Sequence, residues 1–290
     1  MTDFALRLWR AFDAVVLWRA RRVRDRLLER APAIGERLYR GADTVANLPF
    51  RAEKLDLPAA LEVGGVRLDV AGDLAAYTQL PREVVERELR TRSGASFRAE
   101  WHATAPHLRR DHWFYLSSKA YLFANAVHFP DTSFVDEFVR PHLAPGARVL
   151  DFGAGTGNLS LALAASGVEV WVSELNTLQR DFIRFRVVRL GLGDRVTVSD
   201  PWSRLPEAGF GAVVAVDVLE HLPDCRSMLE RQILPALAGE GVLVENSPFV
   251  VNAANPMHHE DFGLETFMRD AGFAVVANGA DGTRVWRRRG

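Results

Sequence analysis

Arg148-Val149-Leu150-Asp151-Phe152-Gly153-Ala154-Gly155-Thr156-Gly157-Asn158 is the stretch on which the reading of this chain turns. A short apolar run ends in an acid, and alternating glycines follow. Val149 and Leu150 suit a strand covered on both faces, Asp151 sits where that strand runs out, and Asn158 is placed to cap a helix beginning near Leu159. Glycine at 153, 155 and 157 opens backbone conformations closed to other residues and lets a ligand approach without meeting a Cβ. The spacing is G-x-G-x-G, whereas the dinucleotide fingerprint is G-x-G-x-x-G. A carboxylate beside a pyrophosphate would be repulsive, so this loop suits a cationic ligand better.

The pattern repeats downstream. Val168 to Glu174 reads as a second strand ending in an acid, about twenty residues past the glycines, where a ribose-binding carboxylate belongs in a nucleotide-binding βαβ unit. A third strand, Arg195 to Ser199, ends at Asp200 and is followed by Pro201 and Trp202, an acceptor and an aromatic face beside the expected adenine position. A fourth, Gly211 to Asp217, runs into Val218-Leu219-Glu220-His221-Leu222-Pro223-Asp224. Asp151, Glu174, Asp200 and Asp217 thus fall on one edge of a sheet.

With this glycine loop and the D-V-L-E-H-L-P-D run after the fourth strand, residues 115 to 290 resemble the class I S-adenosylmethionine-dependent methyltransferases. The resemblance implies an α/β fold, a Rossmann-like, doubly wound and mostly parallel sheet with an antiparallel final strand pair. It also implies S-adenosylmethionine as cofactor, with Asp151, Gly153, Gly155, Gly157, Glu174, Asp200, Trp202 and Asp217 as the residues that bind it. Residues 1–114 match nothing nameable and are expected to form a mainly helical lid or dimerisation region before the 115–290 cofactor domain.

Composition bounds the rest. A chain of 290 residues with 48% hydrophobic residues can bury a sizeable core, and a net charge of -1 supplies no global field for nucleic acid. Cys225 is the single cysteine, which excludes an internal disulfide and a cysteine-cluster metal site and fits a reducing cytoplasm. No apolar run reaches about eighteen residues, so a soluble cytoplasmic protein is expected.

Residues 3 to 30 read as a helix carrying Phe4, Leu8, Phe12, Val15 and Val16 among many arginines. Contact with an anionic membrane is one reading; packing on the chain's own domain or on a second copy is favoured, because Asp3, Asp13, Asp25 and Glu29 break the basic face. Leu61 to Val70 alternates about Gly64-Gly65 and predicts a hairpin, and Pro81 opens a helix over Arg82–Arg92. Further helices are expected over Thr132–Leu143, Leu159–Ala165, Leu178–Leu190, Arg226–Leu237 and Leu264–Ala271, with late strands over 242–245, 274–277 and 283–287. In the resembled family the residues just before the glycine-loop domain fold over the cofactor, which implies Tyr115, Lys119 and Tyr121 as acceptor-binding residues.

Methyl transfer from a sulfonium is an in-line displacement, so positioning supplies most of the rate and a base is needed only for a protonated acceptor. Candidate bases are His221 after the fourth strand and His258 or His259 in Met257-His258-His259-Glu260 after the fifth. Of the adjacent pair only one is expected to face the pocket, with His258 favoured. His258, His259 and Glu260 also offer metal-ligand chemistry, but adjacent residues rarely point the same way, and no metal is expected. Asn246-Ser247-Pro248-Phe249 looks like the Asn/Asp-Pro-Pro-aromatic element of nucleic-acid amino-group methyltransferases, yet it follows the fifth strand where that element follows the fourth. The expectation is methyl transfer to a small molecule, with no nucleic-acid partner and a homodimer as an open option. The alternatives are intramolecular attack that releases methylthioadenosine, and a non-catalytic cofactor-binding regulator at a membrane.

Overall fold

The computed structural model describes residues 57, 59–104, 113–118, 120–128, 132–199, 203–251 and 257–290. The helix read over residues 3 to 30, and the site candidates Lys119, Asp200 and Trp202, lie outside these described residues.

A hairpin of β1 (Leu61–Val63) and β2 (Val66–Leu68) turns on Gly64 and Gly65 at φ 54 and 79, the pair of positive angles that a tight hairpin turn demands. Two helices follow, α1 (Val70–Thr78) and α2 (Arg82–Ala103). The second was expected to stop near Arg92, but it runs through Ser93-Gly94, since an interior glycine costs a helix only about 1 kcal/mol. Short helices α3 (Trp113–Ser117) and α4 (Tyr121–Ala124) then lead toward the sheet.

The sheet is built from β3 (Arg148–Phe152), β4 (Glu169–Ser173), β5 (Val196–Val198), β6 (Phe210–Val216), β7 (Leu237–Asn246), β8 (Phe273–Asn278) and β9 (Arg284–Arg288). Their spatial order is β5-β4-β3-β6-β7-β9-β8. The first five pair in parallel, and β9 enters antiparallel between β7 and β8. This is the Rossmann-like sheet with an antiparallel end that the sequence implied. The chain winds outward from β3 through β4 to β5 and then returns to the other side of β3 as β6. The order therefore reverses between β3 and β6, and in open α/β sheets ligands bind beyond the carboxyl ends of the strands at such a reversal.

Helices cover both faces. Val149, Val170 and Val172 pack with Leu161 of α5 (Asn158–Ala165) and Ile183 of α6 (Thr177–Arg189). Leu150, Val213 and Leu243 face the opposite way, onto Leu229, Ile233 and the Leu264 and Met268 side chains of the helix Leu264–Asp270. Burial of each such side chain contributes about 1.5–3 kcal/mol, which is why the central strands are apolar on both sides.

Two helices expected to be regular are not. Over Val135–Val139 and Leu229–Ile233 the backbone widens, so that the amide of Arg140 reaches back to Val135 O and that of Leu234 to Leu229 O. In each case the next residue is a proline, Pro141 or Pro235, which has no amide to continue the ladder. The segment expected as one helix over Arg226–Leu237 is α7 (Cys225–Met228), this widened turn and α8 (Leu234–Ala236), and its last residue already belongs to β7; the helix Leu264–Asp270 is then α9.

Helices α1, α2 and α4 dock on α6 through Leu74, Val85, Leu89, Leu122 and Phe182. A buried ion pair fixes that contact: Arg186 Nε lies 2.9 Å from Asp73 Oδ2, with Arg189 on the other oxygen at 3.1 Å. Arg186 also donates to Thr156 O and Asn158 Oδ1, so one guanidinium ties α1, α6 and the glycine loop together. Among the described residues no helix is long and apolar enough to cross a membrane.

Candidate active site

At the end of β3 the chain makes its glycine turn. Gly153 has φ 77, and a Cβ there would lie 2.3 Å from Val218 Cγ2, so the turn and the segment after β6 approach closer than any side chain permits. Gly155, at φ 57, aims its amide at Glu174 Oε2, 2.7 Å away. Gly157 precedes α5 as its cap, and Asn158 is the first helical residue rather than the cap expected for it. Its side chain is used sideways: Nδ2 donates to Ala126 O and His128 O while Oδ1 accepts from Arg186.

Beyond the turn lies a cleft enclosing about 960 Å³, including the open solvent at its mouth. Its walls include Gly153, Glu174, Asp217, Tyr115, Tyr121 and His221, drawn from four separate stretches of sequence. Asp151, Gly155 and Gly157 are not among the lining residues. Asp151 lies behind the turn, where its Oδ2 accepts from Ser160 Oγ at 2.5 Å, and burial pushes its carboxyl up to about 6. It therefore fixes the loop to α5 from beneath.

Glu174, one residue past β4, is buried and accepts from two backbone amides, Gly155 N–H on one oxygen and Asn176 N–H on the other, each at 2.7 Å. Burial raises its pKa to about 7; those two amides and Arg180 pull it down, and Asp151 pushes it up. Each carboxylate oxygen can accept twice, so one acceptor position per oxygen remains for a ligand's hydroxyl groups. Asp217, just past β6, takes φ 52 and keeps its carboxylate half-exposed, 3.9 Å from His128 Nδ1.

Asn176 lies outside the expected set of site residues. Its Oδ1 accepts from Gln179 N–H and caps α6, and its Nδ2 donates to Tyr115 O at 2.8 Å and Ser118 O at 2.9 Å. Gln179 adds a bond to Tyr121 O at 3.0 Å. An asparagine followed three residues later by glutamine is a capping-box signature, and it was the signal available for both residues. From the opposite side Glu100 of α2 accepts from Ser118 Oγ and Ala120 N–H. The aromatic segment is thus pinned over the cleft by α6 and α2 together.

At the far wall Tyr115 Oη lies 3.1 Å from His221 Nδ1 and 3.2 Å from Met257 O. A carbonyl only accepts, so when the tyrosine donates to Met257 O its oxygen accepts a hydrogen bond from His221 Nδ1–H. Burial, then His258, depress His221 to about 3, which makes it a neutral ring. His258 Nδ1–H donates to Pro248 O at 2.8 Å, and its ring meets that of His221 edge to face at 4.7 Å. His259 is exposed, and its backbone amide donates to Glu220 O. The structure brings the rings of His221 and His258 into contact, and a positive charge on His259 would disfavour protonation of both.

Residues 132–258 match the model of a family described as a methyltransferase domain. That segment is a methyltransferase domain, and the cofactor such a domain implies is S-adenosylmethionine. Among curated proteins it is similar to a protein-L-isoaspartate O-methyltransferase of Methylorubrum populi, 34% identical over 92 residues that make up 31% of this chain and 42% of that one. It therefore spans less than half the length of that relative. Solved structures with a similar fold include a SAM-dependent methyltransferase from Aquifex aeolicus, at 17% identity and TM-score 0.41, covering 54% of this chain and 93% of that one. A putative sarcosine dimethylglycine methyltransferase from Galdieria sulphuraria aligns at 18% identity and TM-score 0.39, covering 46% of this chain and 54% of that one.

Proposed function

We propose that the protein transfers the methyl group of S-adenosylmethionine to a small-molecule acceptor bound between the glycine turn and the Tyr115–His221 wall. The observation that carries this reading is the continuity of one cleft from Glu174 to His221. Its Glu174 end offers free acceptor positions to a ribose diol, and Gly153 leaves a turn with no Cβ; both fit the cofactor. The bound cofactor supplies an activated methyl group on a sulfonium. The chain's own residues do the positioning: Glu174 and the Gly153 turn hold the donor, while Tyr115, Tyr121 and His221 border the space left for the acceptor. Residues before 115 serve as a lid in this reading, since Glu100 holds the Ser118–Ala120 turn in place over the cleft. Water exclusion at such a site strengthens every polar contact to the reacting groups.

The test is to incubate the full chain with methyl-labelled S-adenosylmethionine and an acceptor collection, and to analyse products. S-adenosylhomocysteine with label in a small molecule supports methyl transfer. Methylthioadenosine would instead show attack on the aminobutyrate chain, and binding without any turnover would leave the domain a cofactor sensor.

A further inference from the structure

We infer that Glu220, His221 and His258 form a binding site for one divalent transition-metal ion at the acceptor end of the cleft. The donor atoms of these side chains lie within 4.8 Å of one another. Glu220 follows β6 and His258 follows β7, and because these strands are parallel neighbours their exits lie side by side.

The independent sign of a missing ligand is Glu220. Its side chain is 0% exposed, and neither carboxylate oxygen meets a hydrogen-bond donor from another described residue. Glu245, equally buried, is charge-compensated: Arg284 Nε at 2.6 Å and Trp286 Nε1 at 3.0 Å donate to one oxygen, although its Oε2 has no partner among the described residues. An unpaired buried carboxylate is costly, and such groups are normally neutralised by a cation or a proton. A proton alone would make Glu220 a donor in need of an acceptor, yet neither oxygen is hydrogen-bonded to the adjacent rings.

The histidines are already in ligating form. His258 commits Nδ1–H to Pro248 O, and His221 commits Nδ1–H to Tyr115 Oη, whose own proton goes to Met257 O. In that arrangement of the two Nδ1–H bonds, Nε2 of each neutral ring carries a free lone pair. Metal-binding histidines characteristically have the second nitrogen held by such an outer partner. Two imidazoles and one carboxylate suit Zn²⁺, Mn²⁺, Fe²⁺ or Co²⁺ better than Mg²⁺ or Ca²⁺, which prefer all-oxygen sets. Bonds of about 2.0–2.2 Å require the three donors to draw together on binding, a side-chain adjustment. Three protein ligands leave coordination positions open, and His221 lines the cleft, so an acceptor oxygen could take one. This last use rests on the methyl-transfer reading; the metal site itself does not.

The experiment titrates the chelator-treated full chain with Co²⁺ alone and then Zn²⁺, without S-adenosylmethionine. One equivalent of Co²⁺ giving visible d–d absorption, displaced by Zn²⁺, is expected. Glu220→Gln and His258→Ala should each weaken Co²⁺ binding by more than about 100-fold, since loss of an outer partner alone costs 10–100-fold. Circular dichroism and S-adenosylmethionine affinity, measured separately, establish that the variants fold. No binding by the folded wild type, or binding by either folded variant equal to that of the wild type, overturns the proposal. Failure to bind S-adenosylmethionine by a chain that binds Co²⁺ would overturn the functional reading and leave the metal site standing.

Discussion

Two buried glutamates, Glu174 in the wall of the cleft and Glu220 next to the His221 that lines its other side, are prepared in opposite ways. Glu174 is met by two backbone amides at 2.7 Å, whereas neither oxygen of Glu220 has a partner among the described residues. Both carboxyls are raised by burial, Glu174 to about 7 and Glu220 to about 8. The difference lies in what each still lacks. A carboxylate that already holds two amides can stay ionised on binding a neutral diol, and its geometry is fixed by the main chain before the ligand arrives. A carboxylate with no donor near it is completed only by something that brings positive charge. The donor end of this cleft is therefore preorganised, and the acceptor end is not.

The largest effect expected from perturbing this arrangement lies outside the cleft, at the buried acid that is best provided for. Asp73 is held by Arg186 and Arg189, and Arg186→Met would leave it with only the half-exposed Arg189. Removing one partner of a buried pair costs about 3–5 kcal/mol. Urea unfolding should show a loss of that order, and a loss below about 1 kcal/mol would mean that α1 is not anchored through this pair. Because Arg186 also holds Thr156 O, the variant should lose cofactor affinity as well.

Next in size is the donor end itself. Glu174→Ala should weaken S-adenosylmethionine binding by about 1.5–3 kcal/mol, the range for hydrogen bonds to a charged group. Glu220→Gln, at the other end, should leave that affinity within about twofold, because one hydrogen bond gained or lost outside the donor subsite has no path to it. Calorimetry on both variants tests the comparison directly. Equal losses would make the cleft one coupled unit and not two differently prepared ends.

A smaller effect follows from pH. Glu174 titrates near 7 in the free chain, with Asp151, Arg180 and Tyr121 as the groups that share its surroundings. A ribose diol donates hydrogen bonds and so prefers the ionised carboxylate. Below about pH 7 binding must first remove a proton, and affinity should fall toward tenfold per unit, or about 1.4 kcal/mol, as pH drops. Above 7 it should level off. In Glu174→Gln the slope should vanish apart from any contribution of Asp151, and a wild-type affinity flat from pH 5.5 to 8 would show that Glu174 does not hold the diol.

Much of this architecture was legible in the sequence because the informative residues are contiguous. Asp151 and the glycines announce a turn after a buried strand, Glu174 and Asp217 mark the ends of two more, and Gly64-Gly65 announces a hairpin. What stayed hidden depends on residues far apart in the chain. Glu220 and His258 meet because β6 and β7 are neighbours, a fact of topology that no local spacing encodes, and the run His258-His259-Glu260 contains only one of the three side chains that come together there. Asn176 escaped because its function is to hold Tyr115 and Ser118 by their main-chain carbonyls, which leaves no mark on residue type at 115 or 118. The widened turns before Pro141 and Pro235 were visible as prolines, but their effect falls on the five residues upstream.

The smallest expected effect is the one that sharpens the comparison between neighbours in sequence. His258 and His259 are adjacent and chemically identical, yet His258 packs its ring on His221 while His259 is exposed. The backbone of His259 bonds to the Glu220 main chain, its amide donating to Glu220 O at 2.7 Å. Alanine keeps that amide. His259→Ala should therefore change stability by no more than about 0.5 kcal/mol, as exposed substitutions do, and leave methyl transfer within about twofold. His258→Ala removes the ring that packs on His221, which does line the cleft, and should depress turnover strongly. The measurement is a pair of initial rates with the acceptor found by product analysis, at saturating S-adenosylmethionine, alongside melting curves for both variants. A His259→Ala enzyme as impaired as His258→Ala, with an unchanged melting curve, would place the exposed ring at the reacting groups and would reassign the acceptor end of the cleft.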